Sequence, residues 1–311
     1  MTFLDRPLAQ VPFLVVDVET TGIVPGQDRV LELAAVAVVP GSEPKVVLDT
    51  LVDPGVPVEW TELHGITDDD VVGAPFLPAV GQALRPLLAN RVLVCHNLKF
   101  DHAVLRHEQV LHADVPGLCT MELFRALFGD KRDLGRACAY VDVPLDNAHT
   151  AAADALATGR LLRKLLAFCR KEKLDSLGAL MERFDLFRPT LDRPMLPAPA
   201  SMVTPEQIGA RSRAPAKKSP TSPLRKYLDA VVTVLADLQV DDDELRHIHD
   251  LRADLALPPN VQRAVHAKVF GAFLSRYTED QSLDLREAGH LVTVHRCLSK
   301  LGWAPGEEVG Y

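Results

Sequence analysis

Eight prolines between Pro189 and Pro223 divide this chain of 311 residues into two stretches that must fold by different rules. Proline fixes φ and removes a backbone donor, so neither a helix nor a central strand runs through such a stretch. Its later half is also basic, with Arg211, Arg213, Lys217 and Lys218. The composition predicts an extended, partly disordered linker over residues 185–223. A length of 311 residues fits about two domains, and a hydrophobic content of 47% is enough for two cores.

Before the linker, apolar β-branched runs predict strands at Phe13–Val18, Arg29–Val39, Lys45–Val52 and Arg91–Cys95. Pro25-Gly26 and Pro40-Gly41 mark turns between them. Helical spacing appears over Phe76–Leu88, Leu134–Tyr140 and Thr150–Lys173, and Asn97 can cap a helix reaching Val110. This is an α/β pattern, a mixed sheet flanked by helices, over residues 1–184. After the linker, residues 224–311 carry four helical stripes and form a small all-α domain. The stripes are Leu228–Leu238, Leu245–Leu255, Val261–Tyr277 and Asp284–Leu301.

The net charge of −8 is uneven. Residues 185–224 carry six basic and three acidic side chains, residues 225–311 ten and fourteen, which leaves −7 to residues 1–184. A broad basic face for duplex DNA is therefore not expected. The five cysteines form no CxxC pair, and they predict reduced, mostly buried thiols in a cytoplasmic protein. No apolar run approaches the ~20 residues that span a bilayer, so no membrane association is expected.

The chemistry lies in three segments. Asp17 and Glu19 stand two apart in FLVVDVETTG, so they share a strand face. Asp101 ends HNLKFD, and His149 and Asp154 bracket HTAAAD. Alone, each piece has a bland reading. Asp101 could complement a helix dipole, and Phe100 could be core. His149 and Asp154 would lie about 140° apart on one helix. His149 is therefore expected in the loop before it, with Asp146 or Asn147 near the cap and Asp154 in the second turn. Four carboxylates at one point would repel each other unless cations sit between them. Mg²⁺ and Mn²⁺ favour oxygen ligands, and two such ions roughly 3.5–4 Å apart clamp a phosphodiester.

The ordered set DVETTG, HNLKFD and HTAAAD resembles the DEDDh family of 3′→5′ exonucleases over roughly residues 11–170. The likeness is closer to the polymerase III epsilon type than to oligoribonuclease. It implies an RNase H-like fold, with Asp17, Glu19, Asp101 and Asp154 holding two Mg²⁺ or Mn²⁺ ions and His149 as general base. Thr20, Thr21 and Gly22 would hold the 3′-terminal nucleotide through their backbone. His64 and Ile66, in HGIT, would contact or wedge the terminal bases, near Asn97 and Phe100. The expected substrate is a single-stranded 3′ end, DNA in preference to RNA. RNA trimming and a scaffold acting through its helical domain are the alternatives.

Three lesser readings complete the sequence. Residues 224–304 resemble a TerB-like helical module, although only Thr278-Glu279-Asp280 of its acidic loop is present. The run Asp241-Asp242-Asp243-Glu244 is expected to open a helix rather than bind a cation. Arg183–Phe187 resembles the peptide by which polymerase subunits dock on a sliding clamp, with Arg183 in place of Gln. The competing reading is that Leu186 and Phe187 pack on the nuclease core. Every catalytic candidate lies before Leu156, so a chain ending near Phe187 is expected to fold and act alone.

Overall fold

The apolar run that opens the first stretch becomes β1 (Phe13–Thr20), the central strand of a five-stranded sheet. The computed structural model describes residues 4–24, 27–111, 115–129, 133–146, 148–184, 186, 203–213, 223–235, 238–278 and 283–308. β2 (Val30–Val38) and β3 (Lys45–Leu51) follow as antiparallel neighbours, because the connections before them are too short for the crossover that parallel pairing needs. Two single-turn helices, α1 (Thr61–His64) and α2 (Asp68–Val71), precede α3 (Leu77–Leu88). β4 (Val92–Cys95) then pairs parallel with β1, and α4 (Leu98–His107) returns the chain to β5 (Gly117–Cys119). The strand order is β3-β2-β1-β4-β5. α5 (Thr120–Phe128), α6 (Leu134–Tyr140), α7 (Ala151–Lys171) and α8 (Leu177–Arg183) complete this part.

Strand alternation sorts the sheet's two faces. Phe13 and Val15 of β1 share one core with Ala34, Val36 and the buried face of α7. Leu14, Val16 and Val18 point the other way, into a core shared with α3 and α4. Burying a large aliphatic side chain on either face contributes about 1.5–3 kcal/mol. α7 lies close on β2. A Cβ added at Gly159 would come within 3.1 Å of Val38 and 3.2 Å of Pro44.

The chain divides into two compact units, Met1–Thr21 with Asp28–Lys218, and Gly22–Gln27 with Ser219–Tyr311. The first unit thus runs beyond the expected bound at 184, and its described residues 203–213 are packed structure, not free linker. A turn at Thr204–Gly209 leads into an extended segment along the edge of β3. There Leu51 N–H donates to Arg211 O (2.8 Å), Arg211 N–H to Thr50 Oγ1 (3.0 Å) and Ser212 Oγ to Asp49 O (3.3 Å). An unpaired strand edge offers donors and acceptors to any extended chain, whatever its composition. Proline spacing could not reveal that partner.

In the second unit, α9 (Pro223–Leu235), α10 (Asp242–Asp254), α11 (Pro259–Tyr277) and α12 (Leu285–Lys300) fall on the four expected stripes. The acid run opens α10. Asp241 accepts from the N–H groups of Asp243 and Glu244, and Glu244 returns the bond to Asp241 N–H. This is a capping box. Leu186 is 4% exposed within the nuclease core, so it is not presented to a clamp. Asp185 and Phe187 of that peptide, and Glu279-Asp280, lie outside the described residues. All five cysteines are free and buried. Among the described residues no helix is long and apolar enough to cross a membrane.

Candidate active site

Asp17 and Glu19 continue the β1 face of Phe13 and Val15, the face that α7 covers. Asp154 projects from the first turn of α7. Ligand atoms of Glu19, His149 and Asp154 all lie within 4.8 Å of one another. Asp17 stands beside them. Burial and then the charges of Asp154, Asp101 and Glu19 hold its carboxyl well above the ordinary carboxylate range. Burial pushes Asp101 up to about 7, against the opposing pull of bonds from its own N–H and that of Val18. The fold therefore gathers the four carboxylates and the histidine from three distant segments.

The helix that carries Asp154 begins one residue later than the segment's apparent pattern. Ala151 is its first residue and Thr150 its N-cap, with no side-chain cap bond. Of the two expected residues near the cap, Asp146 is exposed five residues before the helix, and Asn147 lies outside the described residues. The end is satisfied from elsewhere. Ala151 N–H donates to Glu32 Oε2 at 3.1 Å. Asp154 Oδ2 reaches back to accept His149 N–H at 2.8 Å. His149 itself adopts φ +70, a left-handed conformation that is uncommon without glycine.

Two residues of this cluster were not singled out from the sequence. Glu32 lies directly across from Glu19 in the β1–β2 register and is 1% exposed. Burial raises its pKa, countered by the Ala151 N–H and by Arg213. A single acid inside VLELAAVAV is the signal that could have found it. Arg213 has no local signal at all. Its guanidinium donates to His149 O at 3.2 Å and lies 3.7 Å from Glu32 Oε2.

The expected substrate contacts fare differently. His64 is 1% exposed, and both ring nitrogens are committed. Ile66 N–H donates to Nδ1 (3.0 Å), so Nε2 carries the proton that Glu59 O accepts (2.9 Å). Ile66 is 0% exposed, in a small core with Leu31 and Leu51. Neither side chain is presented to bases, a correction that follows from the loop folding its HGIT segment inward. Thr21 is likewise structural. Its N–H donates to Arg29 O, and its Oγ1 binds Asp28 and Arg29 N–H. Thr20 is buried at the end of β1, and Gly22 groups with the second unit. Asn97 is the N-cap residue of α4, without a side-chain cap bond. Phe100 packs against the core under α4.

The donor set suits hard divalent cations. It offers carboxylate oxygens and one imidazole, without thiolate. Burial and then the neighbouring carboxylates raise Asp17, and a bound cation would offset both.

Residues 14–162 match the family described as exonuclease, so a domain of that family occupies this stretch. Over 188 residues the chain is 35% identical to a DNA polymerase III subunit epsilon-like protein of Rhodobacter capsulatus, covering 57% of this chain and 27% of the relative. A PolC-type DNA polymerase III of Bacillus cereus is 28% identical over an alignment of 322 positions, 96% of this chain and 22% of the relative. The chain thus spans about a quarter of the length of these curated relatives. E. coli exonuclease I in complex with a dT13 oligonucleotide resembles 53% of this chain and 42% of that chain at 21% identity. Its TM-score of 0.43 is too slight to bear on function.

Proposed function

We propose that this exonuclease-family domain hydrolyses single-stranded nucleic acid, DNA in preference to RNA, from the 3′ end to release mononucleotides. The observation that carries the reading is the meeting of Glu19, His149 and Asp154 ligand atoms within 4.8 Å, with Asp17 close enough to be perturbed by Asp154 and Glu19. Asp17, Glu19, Asp101 and Asp154 are the residues that would hold two Mg²⁺ or Mn²⁺ ions. Such ions, when bound, offset charge on the scissile phosphate and favour ionisation of water.

The chain's own residues do the rest. The His149 imidazole takes a proton from the attacking water at the ring nitrogen that faces Glu19 and Asp154. A side chain titrating near working pH suits that step. Asp154 has two tasks, as a ligand and as the acceptor that fixes the His149 backbone. The helical unit is read as a TerB-like accessory module, and a polymerase assembly is the proposed class of partner.

Matched DNA and RNA oligomers labelled at the 5′ end test the reading in Mn²⁺. A ladder of progressively shortened labelled products, faster for DNA, is expected. Internal cuts, or no shortening of either strand, would overturn it.

A further inference from the structure

We propose that Arg213 is a positioning residue of the nuclease: the segment 203–213, returning from beyond α8, acts as a strap whose guanidinium fixes the His149 loop. The inference rests on the reading of His149 as the proton acceptor.

The strap is anchored just before Arg213, by the backbone and the side chain of Arg211. Arg211 binds Thr50 and Leu51 of β3 through its backbone, and its side chain donates to Val72 O at 2.5 Å, after α2. Arg213 then reaches inward and is only 13% exposed. One nitrogen of its fork meets His149 O and approaches Glu32. The other lies 2.9 Å from where a Cβ would stand at Gly65, so the guanidinium rests directly against the HGIT turn. One side chain thus spans the His149 loop, the buried end of β2 and the turn after α1.

Three physical needs meet there. His149 sits at φ +70, and such a conformation persists only where surrounding bonds over-determine it. Its N–H is held by Asp154 and its carbonyl by Arg213. Glu32 carries a buried carboxyl opposite Glu19, and Arg213 supplies positive charge against it. Removing one partner of a buried pair leaves an uncompensated charge. Glu32 also holds the first N–H of α7, so a displaced Glu32 would loosen both the loop and the helix that carry His149 and Asp154. A lysine offers one point charge and cannot reproduce the fork.

The test uses the full chain, Mn²⁺ and a 5′-labelled single-stranded oligonucleotide, with Arg213→Ala, Arg213→Lys, His149→Ala and the Ala/Ala double variant. Arg213→Ala is expected to lower kcat about 10–100-fold, the range for residues that orient a site's ligands, with KM within about twofold. The double variant should lose clearly less than the product of the two single losses, because the part of Arg213's effect that runs through His149 is already gone once the imidazole is removed. Amide exchange measured without metal should rise in peptides covering 145–156 and stay unchanged in β4. Additive losses, a rise in KM at constant kcat, or unchanged exchange at 145–156 would each overturn the strap. If Arg213→Ala does not fold, Arg213→Lys is read by the same measurements. Should the wild type prove inactive, the nuclease reading falls, while the exchange comparison still decides the strap.

Discussion

In the helical unit, His266 has no exposed surface, yet each ring nitrogen meets a partner. Trp303 O can only accept, so Nδ1 donates to it (2.6 Å), and Nε2 accepts from Tyr227 Oη (2.9 Å). Gln262 is matched in the same way, accepting from Arg252 at 2.7 Å and donating to Leu301 O at 3.2 Å. In the nuclease unit, Asp101 is buried and Asp17 half-buried against their chemistry, but the neighbours of Asp17 are further carboxylates. The first network closes on itself with paired groups, and its one charge, the Arg252 guanidinium, donates to Gln262. The second gathers carboxylates: burial holds both Asp17 and Asp101 above the ordinary range, and for Asp17 the neighbouring carboxylates add to it. Closed polar networks fix a core, whereas crowded ionisable groups with shifted pKa values mark a site that does chemistry. The four carboxylates make sense only with a partner from outside the chain.

The largest effects should fall on the nuclease side and leave the helical side untouched. His149→Ala is expected to lower the rate on the order of 10²–10⁴-fold, the usual contribution of a positioned acid or base. Near-normal kinetics in that variant would remove histidine from the mechanism. Chelation followed by dialysis should abolish cleavage, and Mn²⁺ should restore it, with the unfolding of the helical unit unchanged throughout. Activity that survives chelation would break the contrast between the two networks.

Next in size is the strap. A chain ending after Phe187 lacks residues 203–213 and is expected to lose activity to about the degree of Arg213→Ala, on the order of 10–100-fold. A chain ending after Lys218 keeps them and should cleave at the full rate. Equal activity in the two would return the segment to the status of linker.

A smaller, purely structural effect is expected from Tyr227→Phe. Loss of one hydroxyl leaves a buried ring nitrogen without its donor, at a cost of about 1–3 kcal/mol. Trp60 and Trp303 are the chain's two tryptophans, one in each unit. Urea unfolding followed by Trp303 fluorescence in a Trp60→Phe background isolates the helical unit. Asp17→Asn, measured without metal, should by contrast leave the nuclease unit as stable or make it more so, because a repelling charge is gone. A comparable loss of stability in both variants would erase the distinction.

The smallest effect is the response to pH, and its sign differs between the units. Burial lowers the pKa of His266 in the folded state. The unfolded chain then binds protons first as pH falls below about 6.5, so the helical unit weakens on acidification. Asp17 and Asp101 are raised in the folded state. Their metal-free cluster is relieved as pH falls through about 7, the value for Asp101, towards the ordinary carboxylate range. Melting curves of metal-free protein read by each tryptophan should therefore shift in opposite directions. Parallel shifts would count against it.

Local pattern was enough for much of this protein. β-branched runs placed β1 to β4, helical spacing placed α3, α6 and α7 with the four helices of the second unit, and an acid run announced the cap of α10. These depend on neighbours a few residues apart, which sequence displays directly. The order of Asp17, Glu19, Asp101, His149 and Asp154 was legible for the same reason, through short motifs around each. β5 is three residues long and exists through its pairing with β4, so no local period could announce it. His64 and Ile66 looked available for substrate because exposure is not written in a motif, and the folded loop turned both inward. Glu32 and Arg213 were missed because their meaning lies in a register across two strands and in a strap that arrives 64 residues after His149. Sequence determined which groups could do the chemistry. Only the tertiary structure decided which of them meet, because a buried charge or a strand edge takes its partner from whatever the fold brings near.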